Sequence, residues 1–135
     1  MSSMTDYLEV ELRKHLFRTG SYTKPTVMAV ALFTAAPSDA GGGTEVSGGS
    51  YARVDRPPLD ANWSGASSTS GATDNVAVIT FPTASANWGT ITHVALFDAT
   101  SGGNMLFWGA LAASKVVNTG DTFSIAAGDL DIVFA

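Results

Sequence analysis

The side chains that most often carry out acid–base or metal chemistry are sparse in this sequence. Its two histidines, His15 and His93, fall in different predicted elements, so they cannot form a local cluster with metal-ligand spacing. His93 stands inside the strand-like run THVALF, where a packed or rim histidine is expected rather than a ligand. There is no cysteine, which excludes disulfides, thiolate metal sites and thiol catalysis. No GxSxG motif precedes a helical pattern, so a serine nucleophile is not indicated.

The carboxylates offer two arrangements that could do chemistry. Asp129 and Asp131 alternate with apolar residues, so both lie on one face of the last predicted strand, where they could coordinate calcium. A solvated outer face is the interpretation we favour. Asp98 with Asp121 or Asp74 would form a glycosidase-type pair only through tertiary contacts. We therefore expect no catalytic residue, no metal, no cofactor and no enzymatic activity.

Glycine-rich runs and tryptophans are the remaining residues of interest. The runs at 41–43 and 48–49 lack the G-K-[ST] ending and the following helix of a phosphate loop, so they predict a flexible loop. Trp63, Trp88 and Trp108 could stack on sugar rings if they were exposed on a β-sandwich. Because Trp88 precedes Gly89 at the opening of a predicted strand and Trp108 lies within another, packing in the core or at a subunit interface is favoured.

The elements that must position these residues begin with one helix. Leu8, Leu12 and Leu16 recur every four residues between charged positions, and Ser3 or Thr5 can cap the start. After residue 24 the apolar pattern changes from period four to period two. We expect residues 1–24 to form an N-terminal helix and arm, and residues 25–135 to form one β-sandwich domain.

Seven short strands are predicted in the second part of the chain. Turn signals occur at 64–74, 98–103 and 118–121, and a long segment rich in Gly and Ser occupies 35–50. The fold class is therefore mainly β, an antiparallel β-sandwich that is jelly-roll-like, with one N-terminal α-helix. The predicted strands are residues 26–34, 51–55, 76–81, 90–97, 104–111, 121–125 and 130–134.

Two of these strands have similar sequences. Residues 30–35 read VALFTA and residues 94–99 read VALFDA, and each run is followed by a Gly-rich loop. A two-fold pseudo-repeat and a chance likeness of small apolar strands both remain open.

Composition restricts the classes of partner. Hydrophobic residues make up 45% of the chain, charged residues only 14%, and the formal net charge is −5. Residues 25–135 hold nine acidic and three basic side chains, so we expect no nucleic-acid partner. No apolar run is long enough to span a membrane, and the N-terminal residues are charged where a signal peptide is apolar. We expect no membrane partner and synthesis in a cytoplasm.

The order of these segments resembles a family of small tailed-bacteriophage virion proteins, often labelled tail fibre or virion structural protein. The resemblance covers most of residues 7–135. It rests on the N-terminal helix, on VALFTAAPSDAGGGTEVSGGSYARV at 30–54 and on VAVITFPTASANWGTITHVALFDATSGGNMLFWGAL at 76–111. It implies a β-sandwich in a phage structural component that is made in the host cytoplasm and resides in the virion.

The leading functional hypothesis is a capsid decoration or cement protein that stabilises the shell through symmetric subunit contacts. The alternative is a tail fibre, baseplate or neck adaptor subunit, and a lesser alternative is a carbohydrate-binding module. The expected partners are other virion proteins, namely the major capsid protein or tail proteins, and further copies of the chain as a homotrimer. The candidate interface residues are Leu8, Leu12, Leu16, Trp63, Trp88 and Trp108.

Overall fold

A central antiparallel sheet organises the protein in a computed structural model that describes residues 3–65 and 72–134. Strands β2 (Ala29–Ala35), β7 (Gly89–Phe97) and β8 (Met105–Val117) are the long members of the sheet. They lie in the order β8–β7–β2, and every pairing is antiparallel. The predicted fold class, mainly β with antiparallel sheets and one helix near the N-terminus, is confirmed.

The other strands are two residues long. Three of them complete the central sheet: β1 pairs with the outer edge of β8, and β3 and β4 both pair with β2. The rest form two small antiparallel sheets, β5 with β10 and β6 with β9. The short strands are β1 (Ser3–Met4), β3 (Thr44–Glu45), β4 (Val54–Asp55), β5 (Ala72–Thr73), β6 (Ile79–Thr80), β9 (Ser124–Ile125) and β10 (Ile132–Val133).

The core is divided between the two faces of the central sheet. Val30 and Leu32 of β2 point into the larger cluster, whereas Ala29, Ala31 and Phe33 belong to a smaller one on the opposite face, as the two-residue period of a strand requires. The larger cluster joins the sheet to the two small sheets and gives a sandwich-like arrangement. The small sheets and the residues next to their strands contribute Ile79, Phe81, Phe123, Ile125, Leu130 and Ile132 to it.

The helix α1 (Asp6–Phe17) begins at a cap built into the sheet. The Thr5 Oγ1 accepts a hydrogen bond from the Leu8 amide at 3.4 Å and donates to the Met105 carbonyl at 2.7 Å. The backbone N–H of Thr5 also donates to the Leu106 carbonyl, directly after β1. One buried hydroxyl therefore satisfies the helix terminus and fixes it to β8. The prediction that Thr5 could cap the helix is confirmed.

Some strand bounds differ from those predicted. β1, β3 and β5 were not predicted, because two residues are too few to show an alternating pattern. The strands predicted at 51–55, 76–81, 121–125 and 130–134 are shorter in the structure, whereas β8 extends six residues beyond the predicted end at 111. The turn predicted at 64–74 lies mostly outside the described residues. The domain boundary at residue 24 stays a prediction; β1 belongs to the same sheet as β2, β7 and β8.

The two similar runs are neighbours in space. In the β2–β7 pairing, Ala31 lies opposite Ala95, Val30 opposite Leu96 and Leu32 opposite Val94. The VAL triplets therefore meet antiparallel at the centre of the sheet. All six side chains are buried, and the two alanines add little bulk on the face of the smaller cluster.

Candidate interaction sites

A partly buried ion pair joins Arg53 to Glu45. The Arg53 Nε and Nη2 donate to the two carboxylate oxygens of Glu45, each at 2.8 Å, which is the bidentate geometry of the strongest such pairs. The Arg53 side chain is only 8% exposed. Its guanidinium carbon lies 3.7 Å from the centroid of the Phe97 ring, in a cation–π contact.

The same guanidinium also organises a loop. The Arg53 Nη1 donates to the carbonyls of Ala99 at 2.9 Å and Gly102 at 2.8 Å. All three guanidinium nitrogens are thus engaged within the chain. This arrangement joins the edge strand β3 to the turn after β7, and it assigns Arg53 a structural role rather than that of a free anion receptor.

Tyr51 completes this cluster. Its hydroxyl donates to Glu45 Oε2 at 2.8 Å and accepts from the Leu32 amide at 3.0 Å. Burial alone would raise the pKa of the Glu45 carboxyl, but the hydrogen bonds from Arg53 and Tyr51 and the charge of Arg53 outweigh it and hold that pKa below its ordinary value. Burial raises the pKa of the Tyr51 hydroxyl well above its ordinary value.

The predicted leucine stripe divides along the helix. Leu8 is 4% exposed and belongs to the core, Leu12 is half-buried against it, and Leu16 is 67% exposed. An interval of four residues turns the helix about 40° past a full turn, so successive leucines rotate out of the core. Leu8 therefore has little surface left for another subunit. Leu16 and its neighbour Phe17, which is 80% exposed, are available for such contact.

The three tryptophans use their indole N–H groups inside the chain. Trp88 is buried and donates to the Gly49 carbonyl at 2.9 Å. Trp63 donates to the Arg56 carbonyl at 3.0 Å, and Trp108 donates to Asp39 Oδ1 at 2.8 Å. Trp63 and Trp108 are half-buried, so each keeps some ring surface free. Their role in an interface stays a prediction.

The Gly-rich segment is held at Trp88 and at β2. A Cβ on Gly49, whose φ is 56°, would lie 2.9 Å from the Trp88 Nε1, and one on Gly43, whose φ is 77°, would lie 2.8 Å from the Ala35 carbonyl oxygen. Glycine is thus required at both positions for conformation and for space. The segment predicted as a flexible loop includes the paired strand β3.

Three of the carboxylates considered for chemistry accept hydrogen bonds from groups of the same chain. Asp98 accepts from the Asn104 amide at 2.7 Å, Asp121 accepts from the Asn118 amide at 2.9 Å, and Asp74 accepts from the Ser64 hydroxyl. Within residues 3–65 and 72–134, His, Asp and Glu side chains form no group of three or more that could hold a metal ion.

The two histidines that were considered as metal ligands also contact nearby residues. The His15 Nδ1 accepts from the Tyr22 amide at 3.2 Å, and the His93 Nδ1 lies 2.8 Å from the Thr92 hydroxyl. The structure does not bring them together, because His15 lies on α1 and His93 lies within β7.

An apolar pocket of about 450 Å³ opens beside the small sheet of β5 and β10. Its floor includes Leu96 and Phe107 of the central sheet, and Leu59 and Phe134 lie at its rim with more than half of their surface exposed. Among the lining residues that the structure describes, Asp60 is the one that carries a charge. The other lining residues are Met28, Pro58, Trp63, Ser64, Gly65, Ala72, Thr73 and Ile132.

Sequence reasoning missed Arg53, Phe17 and this pocket. The sequence did contain a signal for Arg53. Tyr51, Arg53 and Asp55 occupy alternate positions of one predicted strand, and an arginine in such a strand needs an acidic partner. Phe17 directly follows Leu16, the last residue of the predicted leucine stripe. Its exposure depends on how far the stripe has rotated around the helix axis at that point. The pocket is formed by segments distant in sequence, so no local pattern indicates it.

Comparison with known families gives one result. The sequence model of the family described as Gp80, podophage GP4 fiber I protein gp80, matches residues 3–133. A comparison with curated proteins finds no match. In the part of the chain that the structure describes, no helix is long and apolar enough to cross a membrane.

Proposed function

The chain belongs to the podophage GP4 fiber I protein family, a family of phage virion structural proteins, and from this premise we propose that it is a structural subunit of a podophage tail fibre. The observation that carries the proposal is the extent of the match, which includes both the helix and the sheets. As a virion component the chain associates with other virion proteins. Its role in the fibre is structural rather than catalytic.

The site geometry supports such a role. The side chains of the Arg53–Glu45 cluster, and the carboxylates of Asp98 and Asp121 that were considered for chemistry, bond to groups of the same chain. Large apolar side chains are also exposed at the surface, among them Leu16, Phe17 and the pocket-rim residues Leu59 and Phe134. Apolar surface of this kind suits permanent contacts between subunits.

The family description names a fibre and not a capsid decoration protein. The tail alternative therefore replaces decoration as the leading hypothesis. A baseplate or neck position, a homotrimer and synthesis in the host cytoplasm stay predictions. The carbohydrate-binding alternative has less support, because Trp88 is buried and Trp63 and Trp108 are half-buried.

Immunogold electron microscopy of the parent virions tests the proposal. An antibody raised against the purified chain is expected to label the tail fibres, and pre-adsorption of the antibody with that chain is the control. Quantitative mass spectrometry of the same particles should give a copy number far below that of the major capsid protein. Dense labelling of the head together with a copy number close to that of the shell would restore the decoration hypothesis instead.

A further inference from the structure

The end of α1 forms an exposed apolar projection. Leu16 and Phe17 are adjacent, are 67% and 80% exposed, and are called the knob below. Basic residues adjoin the knob in sequence: Lys14, which is paired with Glu11, and His15 stand in the last turn, and Arg18 is the C-cap. Two adjacent large apolar side chains with this exposure form a patch of the kind that marks a contact with another molecule.

The apolar pocket has the complementary properties. It is a concave site of about 450 Å³ whose lining is almost entirely apolar, and Asp60 stands at its edge as the one charged residue among the described lining residues. Two large apolar side chains with basic neighbours would match this site in both polarity and charge.

Knob and pocket share no residue, and the wider charge distribution favours their contact. Residues 1–24 hold four basic and three acidic side chains, whereas residues 25–135 hold three basic and nine acidic ones. We propose that the partner is a second copy of this chain, with the knob of one copy inserted into the pocket of the next. This contact goes beyond the proposed fibre role and holds wherever the chain sits in the virion.

Such a contact joins two different surfaces and is therefore head-to-tail. An open series of copies keeps a free knob at one end and a free pocket at the other until it closes on itself. A closed ring results if the rotation between copies divides a full turn, and an open array results otherwise. Knob and pocket would form the apolar centre of the interface, and Arg18 and Asp60 would stand at its charged rim.

Two variants of the full chain test the contact. Leu16→Ser with Phe17→Ser removes the knob, and Leu59→Arg places a positive charge at the pocket rim, where it repels the basic neighbours of the knob. Sedimentation velocity and native mass spectrometry are expected to show self-association of the wild-type chain that weakens at least about tenfold in either variant. Val116→Arg is the matched control, because Val116 is an equally exposed apolar residue on β8 outside both surfaces.

Mixing the two variants is the decisive step. The Leu59→Arg chain keeps an intact knob and the double-serine chain keeps an intact pocket, so the mixture is expected to form a heterodimer with one native junction. Each variant alone stays monomeric. Loss of association in the knob variant without rescue by mixing would show that knobs pack against knobs. A wild-type chain that is monomeric at the highest soluble concentration would overturn the proposal outright.

The outcome is independent of the fibre assignment. A monomeric chain whose antibody labels the tail would refute only the knob-in-pocket contact. An associating chain whose antibody labels the head would refute only the fibre role. Circular dichroism of every variant confirms that a lost contact is not a lost fold.

Discussion

Arg53 shows why one side chain can determine the path of several segments. Its planar guanidinium donates to a carboxylate on one side and to two carbonyls on another, while its face lies on the Phe97 ring. A lysine carries the same charge but has no fork and no flat face, so it can satisfy only part of this environment. The position therefore depends on shape as well as on charge.

Replacement of Arg53 by lysine is expected to lower the free energy of unfolding by about 2 to 3 kcal/mol, because Glu45 and the loop carbonyls lose partners in a partly buried site. Urea denaturation followed by tryptophan fluorescence measures the change. Lys14→Ala is the control: Lys14 forms an exposed ion pair with Glu11, and its loss should cost less than about 0.5 kcal/mol. Equal effects of both changes would contradict the structural role of Arg53.

The lowered pKa of Glu45 predicts how stability depends on pH. The unfolded chain binds a proton at this carboxyl more readily than the folded one, so the contribution of the group is present above the unfolded pKa, ordinarily 4.5. It is lost as the pH falls through the lower folded value. The stability difference between wild type and Glu45→Gln should therefore be largest near neutral pH and shrink below pH 4.5. A difference that stays constant with pH would disprove the assignment.

At the scale of the element, the helix combines two functions along its length. Its first turn is fixed to the sheet through Thr5 and Leu8, and its last turn stands clear with Leu16 and Phe17 exposed. The sequence predicted the helix and one of its caps correctly. It treated the three leucines as equivalent, because a four-residue spacing looks like one stripe until its rotation around the axis is followed.

Because burial decreases from Leu8 to Leu16, the same leucine-to-alanine substitution is expected to change the free energy of unfolding by different amounts at the two positions. Leu8→Ala opens a cavity in the core and is expected to lower the free energy of unfolding by about 3 kcal/mol. Leu16→Ala removes an exposed side chain and should change it by less than about 0.5 kcal/mol. Chemical denaturation of the two variants side by side checks the difference. Similar values would mean that the helix does not pack as described.

Removal of residues 1–24 tests whether they can be separated from the body. β1 covers part of the β8 edge and Leu8 is a core residue, so the shortened chain is expected to be less stable by at least about 3 kcal/mol or to fail to fold. Thermal unfolding measured by circular dichroism provides the comparison. The Leu16→Ser, Phe17→Ser variant, which keeps these contacts, is the control. An unchanged melting temperature would instead support an independent domain from residue 25.

At the scale of the whole molecule, the predictable and the unpredictable parts follow from contact distance. Strands such as β2 and β7 can be predicted from local apolar patterns, and the sandwich class follows from the number of predicted strands. The Arg53 cluster and the apolar pocket unite residues from far-separated segments. Their geometry depends on how the sheets pack, which a single sequence does not encode locally.

The pairing of two nearly identical strands has a consequence for folding. In the native sheet a VAL triplet of β2 faces a VAL triplet of β7, so β2 would meet the same residue types if it paired with β2 of another molecule. Concentrated unfolded chains can therefore exchange partners across molecules at little energetic cost and form domain-swapped or aggregated species. The yield of native protein after refolding should consequently fall as the chain concentration rises, and dilution during refolding should restore it.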